Sequence, residues 1–151
     1  MDLINEMRLD FTATPENEAF ARLAISGFML PLDPTMEEMA DVKTAVSEAV
    51  TNAIIHGYGD GDGLVRMSAA YDRSGGLQVQ ITDFGRGIED VARARQPFFT
   101  TSSGEERSGM GFTVMESFMD DVAVDSAVGK GTTVRMTKQI HLREDLLPRR
   151  A

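Results

Sequence analysis

Hydrophobic residues recur along this chain with two periods, one typical of strands and one typical of helices. Alternation of apolar and polar side chains predicts five strands, which are centred on residues 7–11, 65–71, 77–81, 122–124 and 132–136. Glycine-containing turns separate the second strand from the third, and the fourth from the fifth. The pattern therefore predicts two hairpins that follow a separate first strand.

Three segments have the helical period. The first follows Thr14 and Pro15, which suit an N-cap and a first helical position. The second begins after Thr35, because Thr35 and Glu38 have the spacing of a capping box, and it ends at Gly57. The predicted core faces are Phe20, Leu23, Ala24 and Phe28 in the first helix, Met39, Val42, Val46, Ala49, Val50 and Ala53 in the second, and Phe112, Met115, Phe118 and Met119 in the third.

The order of these elements predicts an α+β fold, with a mixed, mostly antiparallel sheet and the helices on one face. Residues 1–151 contain no repeat and no linker, so a single domain is expected. Residues 89–111 lack a core-facing pattern, and loops of that length are usually functional or disordered. Residues 142–151 are predicted to fray.

Composition narrows the possible partners. The hydrophobic content of 42% and charged content of 26% are typical of a globular protein. A net charge of -9 disfavours direct binding to nucleic acid and favours a basic protein partner or a nucleotide that arrives with a cation. The absence of cysteine excludes disulfides, and no segment reads as a leader or a membrane span, so we expect a cytoplasmic protein without a membrane partner.

Glu48 and Asn52 are the first candidates for chemistry. They are four residues apart, so they share one face of the second helix and lie within reach of one ligand. They also border its apolar stripe. Such a pair is more often a solvated helix edge than a site, and the pattern alone leaves both interpretations open.

Asp83 ends an apolar strand, and Gly85 and Gly87 follow at alternate positions. Glycines let a ligand approach the main chain closely, although Asp-x-Gly also forms ordinary turns. The Rossmann fingerprint is excluded because no third glycine follows. The Asp-Phe-Gly triplet of protein kinases would require an His-Arg-Asp loop, which this chain lacks.

Gly109 and Gly111 precede the helix that begins at Phe112. Free N–H groups at a helix start attract anions, and Arg107 adds a planar cation suited to phosphate. A plain turn is the alternative, and the chain has no Walker A sequence.

A calcium site is a separate alternative. Asp60, Asp62 and Asp72 could supply carboxylates, but the loop lacks the third alternate carboxylate and the terminal glutamate of an EF-hand.

In this order the three motifs resemble the N, G1 and G2 boxes of the GHKL ATP-binding family, which includes gyrase, histidine kinases and MutL. Within that family, the stretches SEAVTNAIIHGY, ARQPFFTT, ERSGMGFTVMESFMDD and GTT are similar to the sporulation anti-sigma serine kinases. The similarity runs from Met7 to Ile140. It implies a two-layer α/β sandwich of the Bergerat type.

The resemblance also implies ATP or ADP as cofactor, with Mg²⁺ bound by Asn52 and with Glu48 as the catalytic carboxylate. It makes Asp83 the acceptor for the adenine amino group, supported by Thr133, and it makes residues 89–111 an ATP lid in which Arg107 stabilises charge on the γ-phosphoryl group. The remaining implied cofactor-binding residues are Gly85, Gly87, Ile88, Thr100, Thr101, Ser108, Gly109, Met110, Gly111 and Phe112.

The implied function is double. A homodimer would hold a sporulation sigma factor, sigma-F, away from RNA polymerase, and it would phosphorylate a serine of an anti-anti-sigma factor. Arg22 matches a residue that contacts both partners. Two alternatives stay open: a kinase of a related stress response, and a nucleotide-regulated sigma-factor binder with negligible catalysis.

Overall fold

Five strands form one sheet in this computed structural model, which describes residues 2–59, 62–96 and 111–142. They are β1 (Leu3–Thr12), β2 (Leu64–Asp72), β3 (Gly76–Asp83), β4 (Asp121–Ala127) and β5 (Gly131–Gln139). Their order is β1-β2-β3-β5-β4, so β5 lies between β3 and β4. All four strand pairs are antiparallel, so the sheet of the described residues is antiparallel throughout, in line with the mostly antiparallel sheet that was predicted.

Alternation along the strands places the helices on one side of the sheet, as predicted. The inward side chains of β2 and β3 are Val65, Met67, Ala69, Tyr71, Leu77, Val79 and Ile81, all buried. The intervening residues are mostly polar, and they form the opposite, partly exposed face. The helices are α1 (Glu16–Met29), α2 (Met36–Asn52), α3 (Val91–Ala94) and α4 (Gly111–Phe118).

The face that helix α1 presents to the core only partly matches the predicted one, since Ala24 and Phe28 pack against the core as predicted. Ala21, Ile25 and Met29 are fully buried, whereas Phe20 is 47% exposed and Leu23 is 71% exposed. The helix carries two neighbouring apolar stripes, and docking against α2 buries the stripe of Ala21, Ile25 and Met29. The prediction that Phe20 and Leu23 face the core was therefore wrong.

Helix α2 is the central helix, since it packs against both α1 and α4. Its start is the predicted capping box: the Thr35 hydroxyl accepts from the Glu38 N–H at 3.0 Å, and the Glu38 carboxylate accepts from the Thr35 N–H at 2.9 Å. Beyond Asn52 the chain continues as a π-helical turn, Ala53–Gly57, which confirms Gly57 as the helix end.

The end of the sheet is tied to the start of α2. Glu38 also accepts from the backbone N–H of His141 at 3.0 Å, and Lys138 forms an ion pair with Asp41 at 3.4 Å. Ile140, between them, is fully buried. Within the described ranges, none of the helices has the length and hydropathy needed to cross a bilayer.

Candidate functional site

Asn52 and Gly111 bring the last turn of α2 against the first turn of α4. A β-carbon at position 111 would lie 2.9 Å from the Asn52 side-chain nitrogen and 3.2 Å from its oxygen. A side chain at position 111 would require the Asn52 carboxamide to shift. The first N–H groups of α4 have no intrahelical acceptor, so the carboxamide lies beside the positive end of a helix dipole.

Glu48 lies one helical turn before Asn52. It is half-buried, and its neighbours Ala49 and Val50 belong to the fully buried face of α2. The two polar side chains thus lie along the border of the core, as the spacing predicted. The α2 residues Glu48 and Asn52 and the α4 residue Gly111 therefore belong to one end of the helical layer.

The π-helical turn after Asn52 carries the chain toward β3. Such turns are rare and are frequently found at functional sites. At its end, a β-carbon on Gly57 would lie 2.7 Å from the carboxyl carbon of Asp83 and within 2.9 Å of both its oxygens. The absence of a side chain at Gly57 leaves room for this carboxylate.

Asp83 is the last residue of β3, and it lies between Val65 of β2 and Thr132 of β5. Its carboxylate accepts from the Gly85 N–H at 3.0 Å and from the backbone N–H of Thr132. Burial raises the pKa of Asp83, and the two N–H groups only partly oppose this. A buried carboxylate with a raised pKa beside a helix end is a candidate binding group.

The turn after Asp83 is fastened to the end of α2. The Arg86 N–H donates to the Gly57 carbonyl at 2.9 Å, and Arg86 Nε donates to the His56 carbonyl at 2.6 Å. Gly85 packs directly on Gly57, and Gly87 adopts a φ of 76° that favours glycine. These contacts therefore join the helix that carries Glu48 and Asn52 to the turn that follows Asp83, two motifs that are separate in the sequence.

Ile88 and Phe112 contribute mainly to packing. The Ile88 N–H donates to the Ser126 hydroxyl at 2.7 Å, and its side chain packs against the core. Phe112 is only 8% exposed at the start of α4. Their contacts with a cofactor stay predictions.

Thr133 lies on the opposite sheet face from Asp83. Its hydroxyl is 3.0 Å from that of Thr82, whereas Thr132 is buried and bonded to Asp83. The structure thus brings Thr132, rather than Thr133, to the site. The sequence could have identified Thr132, because residues 132, 134 and 136 point to the same side of the strand, and Val134 and Met136 face the core.

With this geometry in place, comparison with known proteins gives the family. The model of the histidine kinase-like ATPase domain matches residues 11–138. The chain is 52% identical over 140 residues to an anti-sigma F factor of Thermoanaerobacter sp. (strain X514), covering 93% of this chain and 97% of that protein. It is 53% identical over 137 residues to the anti-sigma F factor of Bacillus subtilis (strain 168), covering 90% and 93%.

The chain belongs to the anti-sigma F factor family of histidine kinase-like ATPases. A solved structure supports the fold. The RsbU and RsbW domains of a Mycobacterium tuberculosis protein match with a TM-score of 0.65 at 19% identity, over 95% of this chain and 35% of that chain. The predicted GHKL-type α+β fold is confirmed.

Several family positions lie outside the described residues. These are Thr100, Thr101, Arg107, Ser108, Gly109 and Met110. The part of the expected lid that is described, residues 89–96, contains the single helical turn α3, whose start is capped by Asp90 accepting from the Arg93 N–H at 3.1 Å.

Arg22 lies on the exposed face of α1. It forms an ion pair with Glu18 at 3.2 Å, and Glu18 also accepts from the hydroxyl of Ser47 in α2. Ser47 directly precedes Glu48 in the chain. Arg22 is thus exposed, but it is connected to the helix that carries the polar pair.

Asp72 belongs to the hairpin turn rather than to a cation site. Its carboxylate accepts from the Ser74 hydroxyl at 2.7 Å and from the Gly76 N–H at 2.9 Å. Asp60, another carboxylate of the calcium alternative, lies outside the described residues. In the ranges described, no group of three His, Cys, Asp or Glu residues is arranged to hold a metal.

Proposed function

We propose that this protein is an ATP-dependent protein serine kinase that is also an anti-sigma factor. It would bind and inhibit a sigma factor of the sigma-F type and phosphorylate a serine of an anti-anti-sigma factor. The proposal rests on two close contacts at one end of the fold. Asn52 lies against Gly111, and Asp83 lies against Gly57. The names of relatives more than 50% identical support the biological role.

Asp83 is the proposed acceptor for the adenine amino group. Its carboxylate is buried and fixed by two main-chain N–H groups, so its position does not depend on the ligand. A hydrogen bond to an ionised acceptor is about twice as strong as a neutral one. Thr132, bonded to the same carboxylate, replaces Thr133 as the proposed supporting residue.

Asn52 fits a role as a ligand of Mg²⁺. Its amide oxygen is a hard ligand, and Mg²⁺ in nucleotide sites uses few protein groups beside phosphates and waters. When bound, the ion neutralises charge on the phosphates. The N–H groups at the start of α4, next to the same carboxamide, suit the phosphate oxygens.

Glu48 is the proposed general base. Its carboxylate takes the proton from the attacking serine hydroxyl while the serine oxygen bonds to the γ-phosphorus. The bond from that phosphorus to the β–γ bridging oxygen breaks, and ADP leaves. Arg107 is proposed to stabilise the charge that develops on the transferred group.

The outer face of α1 is the proposed partner surface. Arg22 adjoins the exposed apolar residues Phe20 and Leu23, and apolar residues exposed together mark interaction sites more often than isolated ones. A net charge of -9 suits a partner with a basic surface. The active form is proposed to be a cytoplasmic homodimer.

A transfer assay tests the proposal. The protein is incubated with γ-labelled ATP, Mg²⁺ and a candidate anti-anti-sigma protein, and the product is analysed for phosphoserine. We expect label on one serine, and loss of labelling with Glu48→Gln. If the protein binds ADP and the sigma factor but transfers no label, the nucleotide-regulated binder replaces the kinase.

A further inference from the structure

We propose that Tyr58 is a positioning residue for the nucleotide site. Its hydroxyl accepts from the backbone N–H of Phe84 at 2.7 Å and donates to the carbonyl of Leu64 at 2.5 Å. One oxygen atom therefore links three segments: the end of α2, the turn after Asp83, and the start of β2. The inference rests on the proposed function, because it assigns Tyr58 a role in adenine binding.

Gly63 makes this arrangement possible. A β-carbon at position 63 would lie 2.3 Å from two ring atoms of Tyr58, so the ring packs flat against the main chain there. Gly63 is the last glycine of the loop that separates α2 from β2. This glycine therefore has a defined structural use, which is to admit the ring that carries the bridging hydroxyl.

The bridge acts on Asp83 through its neighbour. Phe84 directly follows Asp83, and its N–H is held only one residue from the carboxylate that we propose to bind adenine. Two bonds from Arg86 fasten the far side of the same turn to Gly57 and His56. Tyr58 fixes the near side, so the turn is held at both ends.

The chain offers a matched control, because it has two tyrosines and both use their hydroxyl groups. The Tyr71 hydroxyl accepts from the side-chain nitrogen of Asn5 at 3.0 Å, near the other end of β2. Tyr71→Phe therefore removes a hydroxyl contact without touching the turn after Asp83. Tyr58→Phe removes the bridge and keeps the ring.

The test compares the affinities of the two variants for ADP and GDP by calorimetry. Loss of one neutral hydrogen bond predicts roughly a three- to tenfold weaker affinity for ADP in Tyr58→Phe. The preference of Tyr58→Phe for ADP over GDP should fall as well, because Asp83 is the proposed acceptor for the adenine amino group. Tyr71→Phe should match the wild type in both measurements, even where its melting temperature falls.

Each result has a defined meaning. Wild-type ADP affinity and selectivity in Tyr58→Phe would overturn the positioning role and leave the proposed function standing. A wild-type protein that binds no ADP would overturn both. Equal losses in the two tyrosine variants would show a general effect of stability and would also overturn the positioning role.

Gly63→Ala is an independent route to the same prediction. The added methyl group displaces the ring, so ADP affinity should fall to a similar extent although the hydroxyl is retained. In both Tyr58→Phe and Gly63→Ala, the amide hydrogen of Phe84 should exchange with solvent faster than in the wild type, as measured by NMR. Unchanged exchange at Phe84 in both variants would overturn the bridge itself.

Discussion

Gly57 lies directly against the carboxyl group of Asp83, and a β-carbon at position 57 would come within 2.7 Å of its carbon. Gly57→Ala should therefore displace Asp83. We expect ADP affinity to fall by about tenfold or more and the free energy of unfolding to fall by about 1–3 kcal/mol, as for other overpacked sites. Calorimetry and chemical denaturation measure the two effects.

Gly27→Ala is the control for this substitution. Gly27 is also a helix glycine, but apart from its chain neighbours and the backbone of its own helix, no atom lies within 4 Å of the position its β-carbon would take. Alanine should raise stability by about 0.5–1 kcal/mol there and leave ADP affinity unchanged. If Gly57→Ala behaves like Gly27→Ala, the close contact with Asp83 has no functional consequence.

Asp83→Asn should weaken ADP binding by roughly ten- to a hundredfold, because a charge-assisted hydrogen bond contributes about 1.5–3 kcal/mol. Titration calorimetry at constant Mg²⁺ measures the change. Equal ADP affinity in the variant and the wild type would contradict the adenine assignment.

The same carboxylate predicts a pH dependence. Burial raises the pKa of Asp83, so the free protein takes up its proton at pH values above the ordinary 3.8. Adenine binding that needs the carboxylate must release this proton, so wild-type affinity should fall as the pH is lowered through the raised pKa. The difference between wild type and Asp83→Asn should shrink over the same range, and a constant difference would argue against the assignment.

Glu48→Gln and Asn52→Ala should separate catalysis from binding. Glutamine cannot accept the serine proton, so phosphorylation should slow by about 10²-fold or more with ADP affinity nearly intact. Asn52→Ala should weaken Mg²⁺-dependent nucleotide binding, so phosphorylation and any nucleotide-dependent sigma binding should both decline. A normal labelling rate in Glu48→Gln would remove the general-base role.

Arg22→Ala should weaken sigma-factor binding by at least roughly thirtyfold, since a central interfacial arginine contributes about 2 kcal/mol or more. Surface plasmon resonance measures this, with ADP affinity expected to be unchanged. Arg73→Ala is the matched control, because Arg73 is also exposed but lies in the β2–β3 turn and not on α1. A change below about 1 kcal/mol that added salt abolishes would make Arg22 a peripheral charge.

Glu38→Gln should reduce stability in a pH-dependent manner. Burial by itself raises the pKa of Glu38, but the backbone N–H groups of His141 and Thr35, together with the His141 side chain, outweigh it, and the net pKa is lowered from 4.5. The stabilisation is therefore complete above pH 4.5 and is lost as the pH falls through the lowered pKa. At pH 7 we expect a loss of about 1–2 kcal/mol.

The control for this comparison is Glu37→Gln, at an exposed position in the same helical turn. Denaturation curves measured at pH 7 and below pH 4.5 should show that Glu38→Gln has a lower free energy of unfolding than the wild type, and that this difference narrows in acid. A difference that is independent of pH would contradict the role of the charge.

Residues with an unambiguous local pattern were predictable from the sequence. The capping box at Thr35 and Glu38 was confirmed, and so was Gly57 as the end of the π-helical turn that continues α2, because both depend on neighbours within one helical turn. The prediction that Phe20 and Leu23 of α1 are buried was wrong because two apolar stripes compete in that helix. Docking against α2, a long-range event, selects the stripe of Ala21 and Ile25.

The contacts that assemble the site have no local signal. Tyr58 and Phe84 are 26 residues apart, and His56 and Arg86 are 30 apart, so sequence spacing indicates neither pair. Thr132 is different, because strand alternation with Val134 could have identified it. The family resemblance supplied the roles of single residues, whereas the structure supplied the bonds that hold them in place.

The position of β5 has a consequence for how the protein is made. Of the strands in the described residues, β5 is the last to be synthesised, yet it lies inside the sheet, and its Thr132 N–H completes the environment of Asp83. A nascent chain that still has residues 131–139 within the ribosomal tunnel therefore cannot form the nucleotide site, even though both halves of the Asn52–Gly111 contact have already been translated.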